Sequence, residues 1–166
     1  KNGGFDTEAL RNALQGNGKK VLLLNFPNNP TGYTATEQEA EEIANILKET
    51  AEKGTPVVAL LDDAYFGLVY EDGVYTESLF AKLADASENL LAVKLDGPTK
   101  EDYVWGFRVG FMSFAWKNAS DAQLKAMEAK AAGVVRGNIS NAPSISQKIL
   151  LAAYQSENYL AEKQEK

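Results

Sequence analysis

Five residues with reactive or charged side chains lie close to the ends of apolar segments: Asn29, Asp62, Tyr65, Lys100 and Arg108. They supply an amide, a carboxylate, a phenol, an amine and a guanidinium. A pyridine aldehyde phosphate needs such a set, because an amine condenses with its aldehyde and a carboxylate pairs with its protonated ring nitrogen. Amide and phenol groups can donate to its ring oxygen, and an arginine can bind its phosphate. The residue types therefore indicate a site for this class of ligand.

The apolar segments near these residues are predicted to be strands. They span residues 19–26, 56–65, 89–96 and 107–114. The fourth is close enough in sequence to the third to pair with it antiparallel. Segments with helical character separate or follow the strands, which predicts an α/β fold with a mixed, mostly parallel sheet flanked by helices. Ligands bind beyond the carboxyl ends of the strands in such sheets, and there the five side chains are expected to converge.

Several stretches carry helical signals. Thr34 and Glu37 have the spacing of a capping box, and apolar residues then recur at helical spacing until Gly54 and Pro56. A shorter helix is predicted near residues 78–86. From residue 121 onward the chain is predicted to be helical, with an interruption at 136–144 and a long charged helix through Lys166.

Composition narrows the possible functions. The chain has 166 residues, 45% of them hydrophobic, which suits one domain with a sizeable core. A net charge of -6 disfavours a nucleic-acid surface, and the lack of histidine and cysteine disfavours metal sites and cysteine catalysis. No apolar run approaches the roughly 20 residues of a membrane span. We expect a cytoplasmic protein with no nucleic-acid or membrane partner, and the opening residues read like the interior of a longer protein.

Each site residue also has a simpler explanation. The Asn-Pro-Thr-Gly stretch at residues 29–32 alone fits an ordinary turn between a strand and a helix, and Asp62 fits a solvated strand end. Lys94 competes with Lys100 as the reactive amine, although its position inside the third strand disfavours it. Arg108 alone could form a surface ion pair. The order and spacing of the whole set favour a common site.

In that order and spacing, the sequence resembles the fold-type I enzymes that use pyridoxal 5'-phosphate, in particular the aspartate aminotransferase family of class I and II transaminases. The resemblance rests on four motifs over nearly the whole chain: Asn-Pro-Thr-Gly at 29–32, Asp-Asp-Ala-Tyr at 62–65, Lys100, and Arg-Val-Gly at 108–110. It implies that residues 1–166 form one domain, the central to C-terminal part of a large domain that binds pyridoxal 5'-phosphate, and that the small domain is absent.

The resemblance also implies roles for the residues. Lys100 would form the Schiff base with the cofactor, Asp62 would pair with the pyridinium nitrogen, and Asn29 and Tyr65 would donate to the ring oxygen. Arg108 would bind the phosphate. Gly97 stands where many members have a serine that contacts the phosphate. Arg136 lies at the position that can bind a substrate side-chain carboxylate in the partner subunit's site, and it could also merely end a helix.

The implied activity is transamination, the transfer of an amino group from an amino acid to a 2-keto acid, in a homodimer. The alternatives are a related lyase, a sensor domain of a transcription regulator that binds the same cofactor, and a catalytically silent part of such an enzyme. The family's glycine-rich phosphate loop, its ring-stacking aromatic residue and its C-terminal arginine for the substrate α-carboxylate are not identifiable in this sequence.

Overall fold

A computed structural model describes residues 3–165, and the centre of the molecule is a sheet of four strands. The strands are β1 (Lys20–Asn25), β2 (Val57–Asp62), β3 (Leu90–Asp96) and β4 (Phe111–Ala115). They lie in the order β1-β2-β3-β4, with β1, β2 and β3 parallel and β4 antiparallel to β3. The predicted fold class is therefore confirmed, including the antiparallel fourth strand.

Helices lie before, between and after these strands along the chain. They are α1 (Thr7–Ala13), α2 (Glu37–Glu52), α3 (Leu79–Leu83), α4 (Pro98–Glu101), α5 (Asp121–Asn138), α6 (Ser144–Tyr154) and α7 (Tyr159–Glu165). Ile43 and Leu47 of α2 pack with Ala59 and Leu61 of β2 and with Leu83 of α3, and all five residues are buried. Their burial fixes the covered face of the sheet, since alternate residues of a strand point to the same side.

The opposite face of the sheet is more open. Its β1 residues Val21 and Leu23 are 56% and 61% exposed, and Met112 of β4 is 53% exposed. Within residues 3–165, no helix combines the length and apolar character needed to cross a membrane.

The capping box of α2 differs from the predicted one. Thr36 caps the helix: its hydroxyl accepts from the Glu39 amide at 3.2 Å, and the Glu39 carboxylate accepts from the Thr36 amide at 2.8 Å. Thr34 and Glu37 have the same spacing, so the sequence pattern fits twice. The Tyr33 hydroxyl, which donates to Glu39 at 2.6 Å, favours the later box. Buried Ala35 holds the preceding backbone against the core.

The fourth strand begins four residues later than predicted. Residues Trp105–Phe107 form a short 3-10 helix, and Arg108 then adopts a left-handed conformation with φ of 53°. Gly97 and Gly110 lie where two chain segments approach closely, because a Cβ at Gly97 would be 3.0 Å from the Val109 carbonyl oxygen. This close approach replaces regular strand pairing before Phe111.

The predicted long terminal helix is wrong, because the chain turns between α6 and α7. Gln155 caps the end of α6, and the Ser156 hydroxyl accepts from the Asn158 amide at 3.3 Å. A side-chain hydroxyl that binds the backbone in this way competes with helix continuation. The Tyr154 and Tyr159 rings meet across the turn with centroids 5.2 Å apart. Lys166, the predicted helix end, lies outside the described residues.

Candidate active site

The carboxyl ends of the parallel strands form one row. Asn25 of β1 lies opposite Asp62 of β2, and Asp62 lies opposite Leu95 of β3. The Asn25 side-chain amide donates to the Asp62 carbonyl at 2.9 Å, so a side chain joins two strand ends in addition to the backbone pairing. The strand register therefore brings the segments that follow β1, β2 and β3 to one edge of the sheet.

An open depression of about 400 Å³ lies at this edge. Its lining includes the polar residues Asp62, Asp96, Thr99 and Lys100 and, among the apolar ones, Phe111 and Val135. The Asp62 carboxylate accepts from the Ala64 amide at 3.2 Å and is partly exposed. We call this hollow the strand-end depression. The Asp62 carboxylate and the Lys100 amine thus border the same solvent-accessible space.

Lys100 lies in α4, the single helical turn that follows β3. Its amine is 4.4 Å from the centroid of the Tyr65 ring, which comes from the loop after β2. A cation at this distance is attracted by the ring face. Among residues 3–165, no carboxylate forms an ion pair with Lys100. The amine is thus held by an aromatic ring and not neutralised by an acid.

The competing amine, Lys94, has a different environment. Lys94 lies on the covered face of the sheet, forms a short ion pair with Asp96, and lies 3.7 Å from the Asp63 carboxylate. Its side chain is only 17% exposed. An amine between two carboxylates and shielded from solvent is poorly suited to react with a ligand, so the structure favours Lys100 over Lys94.

Sequence reasoning missed this group of Asp63, Lys94 and Asp96. Burial raises the pKa of the Asp63 carboxyl, and the nearby Lys94 charge only partly opposes that effect. A signal was available: Lys94 and Asp96 are two residues apart, so they share a face of β3, and Asp63 follows the neighbouring strand. The group ties β2 to β3 directly beneath the strand-end depression.

The loop after β1 is fixed by its asparagines. The Asn25 side-chain oxygen accepts from the Asn29 amide at 2.9 Å and from the Asn28 side chain at 3.2 Å. The Asn28 carbonyl in turn accepts from the Gly32 amide at 2.7 Å, and Gly32 has a φ of 72° that glycine adopts readily. Asn29 is exposed and tied through Asn25 to the strand end that bears Asp62.

The two predicted arginines lie apart from the lining of the depression. Arg108 is exposed and donates to the Trp105 carbonyl at 3.2 Å. Arg136, also exposed, lies in the last turn of α5 and donates to the Ser140 hydroxyl at 2.7 Å. Its neighbour Val135 does line the depression. The structure thus brings Asp62, Tyr65 and Lys100 together, links Asn29 to them indirectly, and leaves both arginines at the periphery.

The fold is an α/β layer with a lysine and an aspartate at the carboxyl edge of its parallel strands. The family model for aminotransferase class I and II matches residues 1–166, and the chain belongs to that family.

Known proteins of this kind are similar to the chain over most of its length. A probable N-acetyl-LL-diaminopimelate aminotransferase of Bacillus subtilis is 35% identical over 134 residues, which cover 81% of the chain. An aspartate aminotransferase of the same organism is 27% identical over 89% of the chain. The crystal structure of an aminotransferase from Anaerococcus prevotii superposes with a TM-score of 0.82 at 29% identity, over 99% of the chain.

The chain corresponds to only part of each of these proteins. It spans 29% of the Bacillus diaminopimelate enzyme, 33% of the aspartate aminotransferase and 41% of the Anaerococcus chain. The family implies pyridoxal 5'-phosphate, and the strand-end depression fits that group in its chemistry. The Lys100 amine, which forms no ion pair among residues 3–165, and the Asp62 carboxylate line the depression, and the Tyr65 ring lies against the amine.

Proposed function

We propose that this chain is the part of an aminotransferase large domain that binds pyridoxal 5'-phosphate, with Lys100 as the reactive amine. The observation that carries the proposal is the contrast between two lysines of one segment. Lys94 is paired with carboxylates on the covered face, whereas the Lys100 amine lies on the Tyr65 ring at the strand-end depression. Of these two lysines, Lys100 alone combines access, freedom from acidic partners among residues 3–165, and a place with Asp62 in the lining of the depression.

Each residue of the site would have a separate role toward the cofactor. Pyridoxal 5'-phosphate supplies an electron sink for negative charge at the α-carbon of an amino acid. Asp62 would keep the ring nitrogen protonated, since a carboxylate next to a cation favours the charged form. Lys100 would hold the group and then move a proton at the substrate α-carbon, which suits a positioned amine. Asn29 and Tyr65 would donate to the ring oxygen.

The two arginines would bind anionic groups. Arg108 would bind the phosphate, and its exposed side chain has only the Trp105 carbonyl as a hydrogen-bond partner among residues 3–165. Arg136 would bind a side-chain carboxylate of the substrate, which favours acidic amino acids. This preference agrees with the diaminopimelate and aspartate specificities named for the relatives. The whole protein would transfer the amino group to a 2-keto acid as a cytoplasmic homodimer.

A spectroscopic experiment tests the cofactor site on this chain. Pyridoxal 5'-phosphate is added to the protein, the visible absorbance is recorded, and borohydride followed by peptide mapping identifies the lysine that carries the label. We expect one predominant label, on Lys100. Lys100→Ala should abolish it, whereas Lys117→Ala, which removes an exposed lysine outside the depression, should leave it unchanged. Labels scattered over several surface lysines in the unmodified chain would contradict the proposal.

A further inference from the structure

The turn that carries Lys100 is bound to the last two helices by the acids that follow it. The Asp102 carboxylate accepts from the Tyr154 hydroxyl at 2.7 Å and from the Tyr159 hydroxyl at 2.6 Å. Its side chain is only 10% exposed. One carboxylate thus binds α6 and α7 through both of its oxygens, across more than 50 residues of sequence.

A lysine completes this group. The Lys163 amine of α7 lies 2.6 Å from the Glu101 carboxylate and 3.4 Å from that of Asp102. Burial opposes the charge on Lys163, but the hydrogen bond that Lys163 donates to Glu101 and the negative charges of Glu101 and Asp102 together outweigh it, so the pKa of Lys163 is raised. Burial and the hydrogen bond to Asp102 also raise the pKa values of Tyr154 and Tyr159. Both hydroxyls therefore stay protonated and act as donors at neutral pH. We call Glu101, Asp102, Tyr154, Tyr159 and Lys163 the Asp102 cluster.

The turn itself has little stability of its own. α4 contains four residues, and no side chain caps its start at Gly97. The amide of Asp102 closes the turn by donating to the Pro98 carbonyl at 2.9 Å, and Tyr103 then has a φ of 57°. A single helical turn fixes several dihedral angles for few hydrogen bonds, so tertiary contacts must hold it.

Apolar packing cannot replace the cluster. A hollow of about 480 Å³ separates the segment after Lys100 from α6 and α7, with Trp105 and Phe107 on one wall and Ile149 on the other. Leu150 is the only buried residue of α6, and the described part of α7 has none. The connection between these helices and the α4 turn therefore depends largely on the polar contacts of Asp102 and Glu101.

We propose that Asp102 is a positioning residue for Lys100: bound by Tyr154, Tyr159 and Lys163, it holds the α4 turn so that the Lys100 amine stays against the Tyr65 ring. The role as part of a cofactor site rests on the proposed function, but the positioning itself does not need the cofactor. Asp102 acts through the backbone of the turn, two residues from the amine, and touches no reacting atom.

The test compares two variants that weaken the same contacts from opposite sides, since an asparagine at residue 102 keeps only one acceptor oxygen for the two tyrosine hydroxyls. Asp102→Asn removes the charge, and the double variant Tyr154→Phe, Tyr159→Phe removes both hydroxyl donors while leaving Asp102 in place. The control is Glu41→Gln, which removes a carboxylate from the 2.7 Å ion pair between Lys82 of α3 and Glu41 of α2 and touches neither α4, α6 nor α7. If Asp102→Asn does not fold, the double variant still tests the same contacts without a change at the turn.

Two readouts need no cofactor. The first is the hydrogen-exchange rate of the Asp102 backbone amide, which closes the turn. We expect this rate to increase about tenfold in both test variants but not in Glu41→Gln. Competitive acetylation compares Lys100 with Lys117 in the same molecules. Freed from the ring, Lys100 should react about threefold faster relative to Lys117. An unchanged exchange rate of the Asp102 amide in the test variants would overturn the proposal. Faster exchange with an unchanged acetylation rate of Lys100 would also overturn it, because the cluster would then stabilise the turn without positioning the amine.

A third readout links the cluster to the cofactor. Capture of pyridoxal 5'-phosphate by Lys100 should slow about tenfold in both variants if the turn must be held for binding. If Lys100 of the unmodified chain does not capture pyridoxal 5'-phosphate at all, the proposed function is refuted. The exchange and acetylation results still decide the positioning role in that case. The two failures are therefore distinguishable.

Discussion

The Lys100 amine lies 4.4 Å from the centre of the Tyr65 ring, so the turn after β3 meets the loop after β2 at this contact. Parallel pairing of β2 with β3 places Asp62 and Leu95 side by side, and the segments that follow them continue to the same edge. The contact joins two of the five residues whose types first indicated a ligand site.

Substitutions of Tyr65 separate its ring from its hydroxyl. Tyr65→Phe keeps the ring against Lys100 and removes the donor proposed for the ring oxygen of the cofactor. We expect it to weaken pyridoxal 5'-phosphate binding by about 1 kcal/mol, or roughly fivefold, the value of one hydrogen bond. Tyr65→Leu removes the ring too and should weaken binding further, by about another 0.5–1 kcal/mol. Absorbance titration measures both, and equal affinities for Tyr65→Phe and the unmodified chain would exclude the hydroxyl as a donor.

Gly97 lies where the neighbouring backbone leaves little room for a side chain. A Cβ there would lie 3.0 Å from the Val109 carbonyl oxygen and 3.3 Å from the Gly110 Cα, and both neighbours are backbone. We expect Gly97→Ala to reduce the free energy of unfolding by about 1–3 kcal/mol through overpacking. Urea denaturation measures the loss.

Gly106 offers a matched control in the same region. A Cβ at Gly106 meets no other atom within 4 Å, so Gly106→Ala should change stability little. Equal effects of the two alanines would mean that the approach of residues 97 and 109 is looser than in this structure. Gly97→Ser should destabilise the chain as Gly97→Ala does, and the added hydroxyl should not compensate.

The asparagine at the end of β1 is a stronger determinant of the site than the sequence indicated. Asn25 donates to the Asp62 carbonyl and accepts from Asn29 and Asn28, so Asn25→Ala removes three hydrogen bonds. We expect a loss of about 2 kcal/mol in the free energy of unfolding, less than three full bonds because the site is partly exposed.

Asn45→Ala is the control for this substitution, since Asn45 is exposed and makes one long contact of 3.5 Å to Glu41. Its effect on urea denaturation should be within about 0.5 kcal/mol of zero. A similarly small effect of Asn25→Ala would show that the loop after β1 is held by its backbone alone.

The sheet was predictable because its strands are continuous apolar runs, bounded by glycine, proline or acidic residues, that alternate with helical segments. The apolar pattern did not predict where some elements begin and end, because individual hydrogen bonds and close backbone contacts determine those positions. The Thr-x-x-Glu pattern fits at Thr34 and at Thr36, and the hydrogen bonds that Glu39 accepts from the Phe5 amide and the Tyr33 hydroxyl favour the second. The delayed start of β4 and the break before α7 likewise depend on the approach of residues 97 and 109 and on Ser156.

The candidate site was predictable in its residue types but not in its supporting contacts. Asp62, Tyr65 and Lys100 follow strands, and strand order alone brings such residues to one edge. The Asp102 cluster joins residues more than 50 positions apart, and tyrosines on short helices have no periodicity that reveals such a partner. Exposed Arg108 and Arg136 make only local contacts, so their roles stay predictions.

The buried acid beneath the site has a pH signature. Asp63 is 6% exposed, and burial raises the pKa of its carboxyl above the ordinary value of 3.8, although the Ser78 hydroxyl and the Lys94 charge oppose this and Asp96 and Asp62 add to it. The folded state therefore holds this proton more tightly than the unfolded chain. The resulting stabilisation is full below about pH 3.8 and is lost as the pH rises through the raised pKa.

Asp63→Asn removes this titration while keeping the shape of the side chain. We expect the free energy of unfolding of the variant, relative to the unmodified chain, to increase from about pH 4 to about pH 7, because only the unmodified chain must bury a carboxylate at the higher pH. Urea denaturation over that range measures the difference. Gly106→Ala, which removes no titratable group, should show a difference independent of pH. A flat difference for Asp63→Asn as well would mean that Lys94 compensates the buried charge fully, and the group of Asp63, Lys94 and Asp96 would then act as a balanced ion pair at every pH in that range.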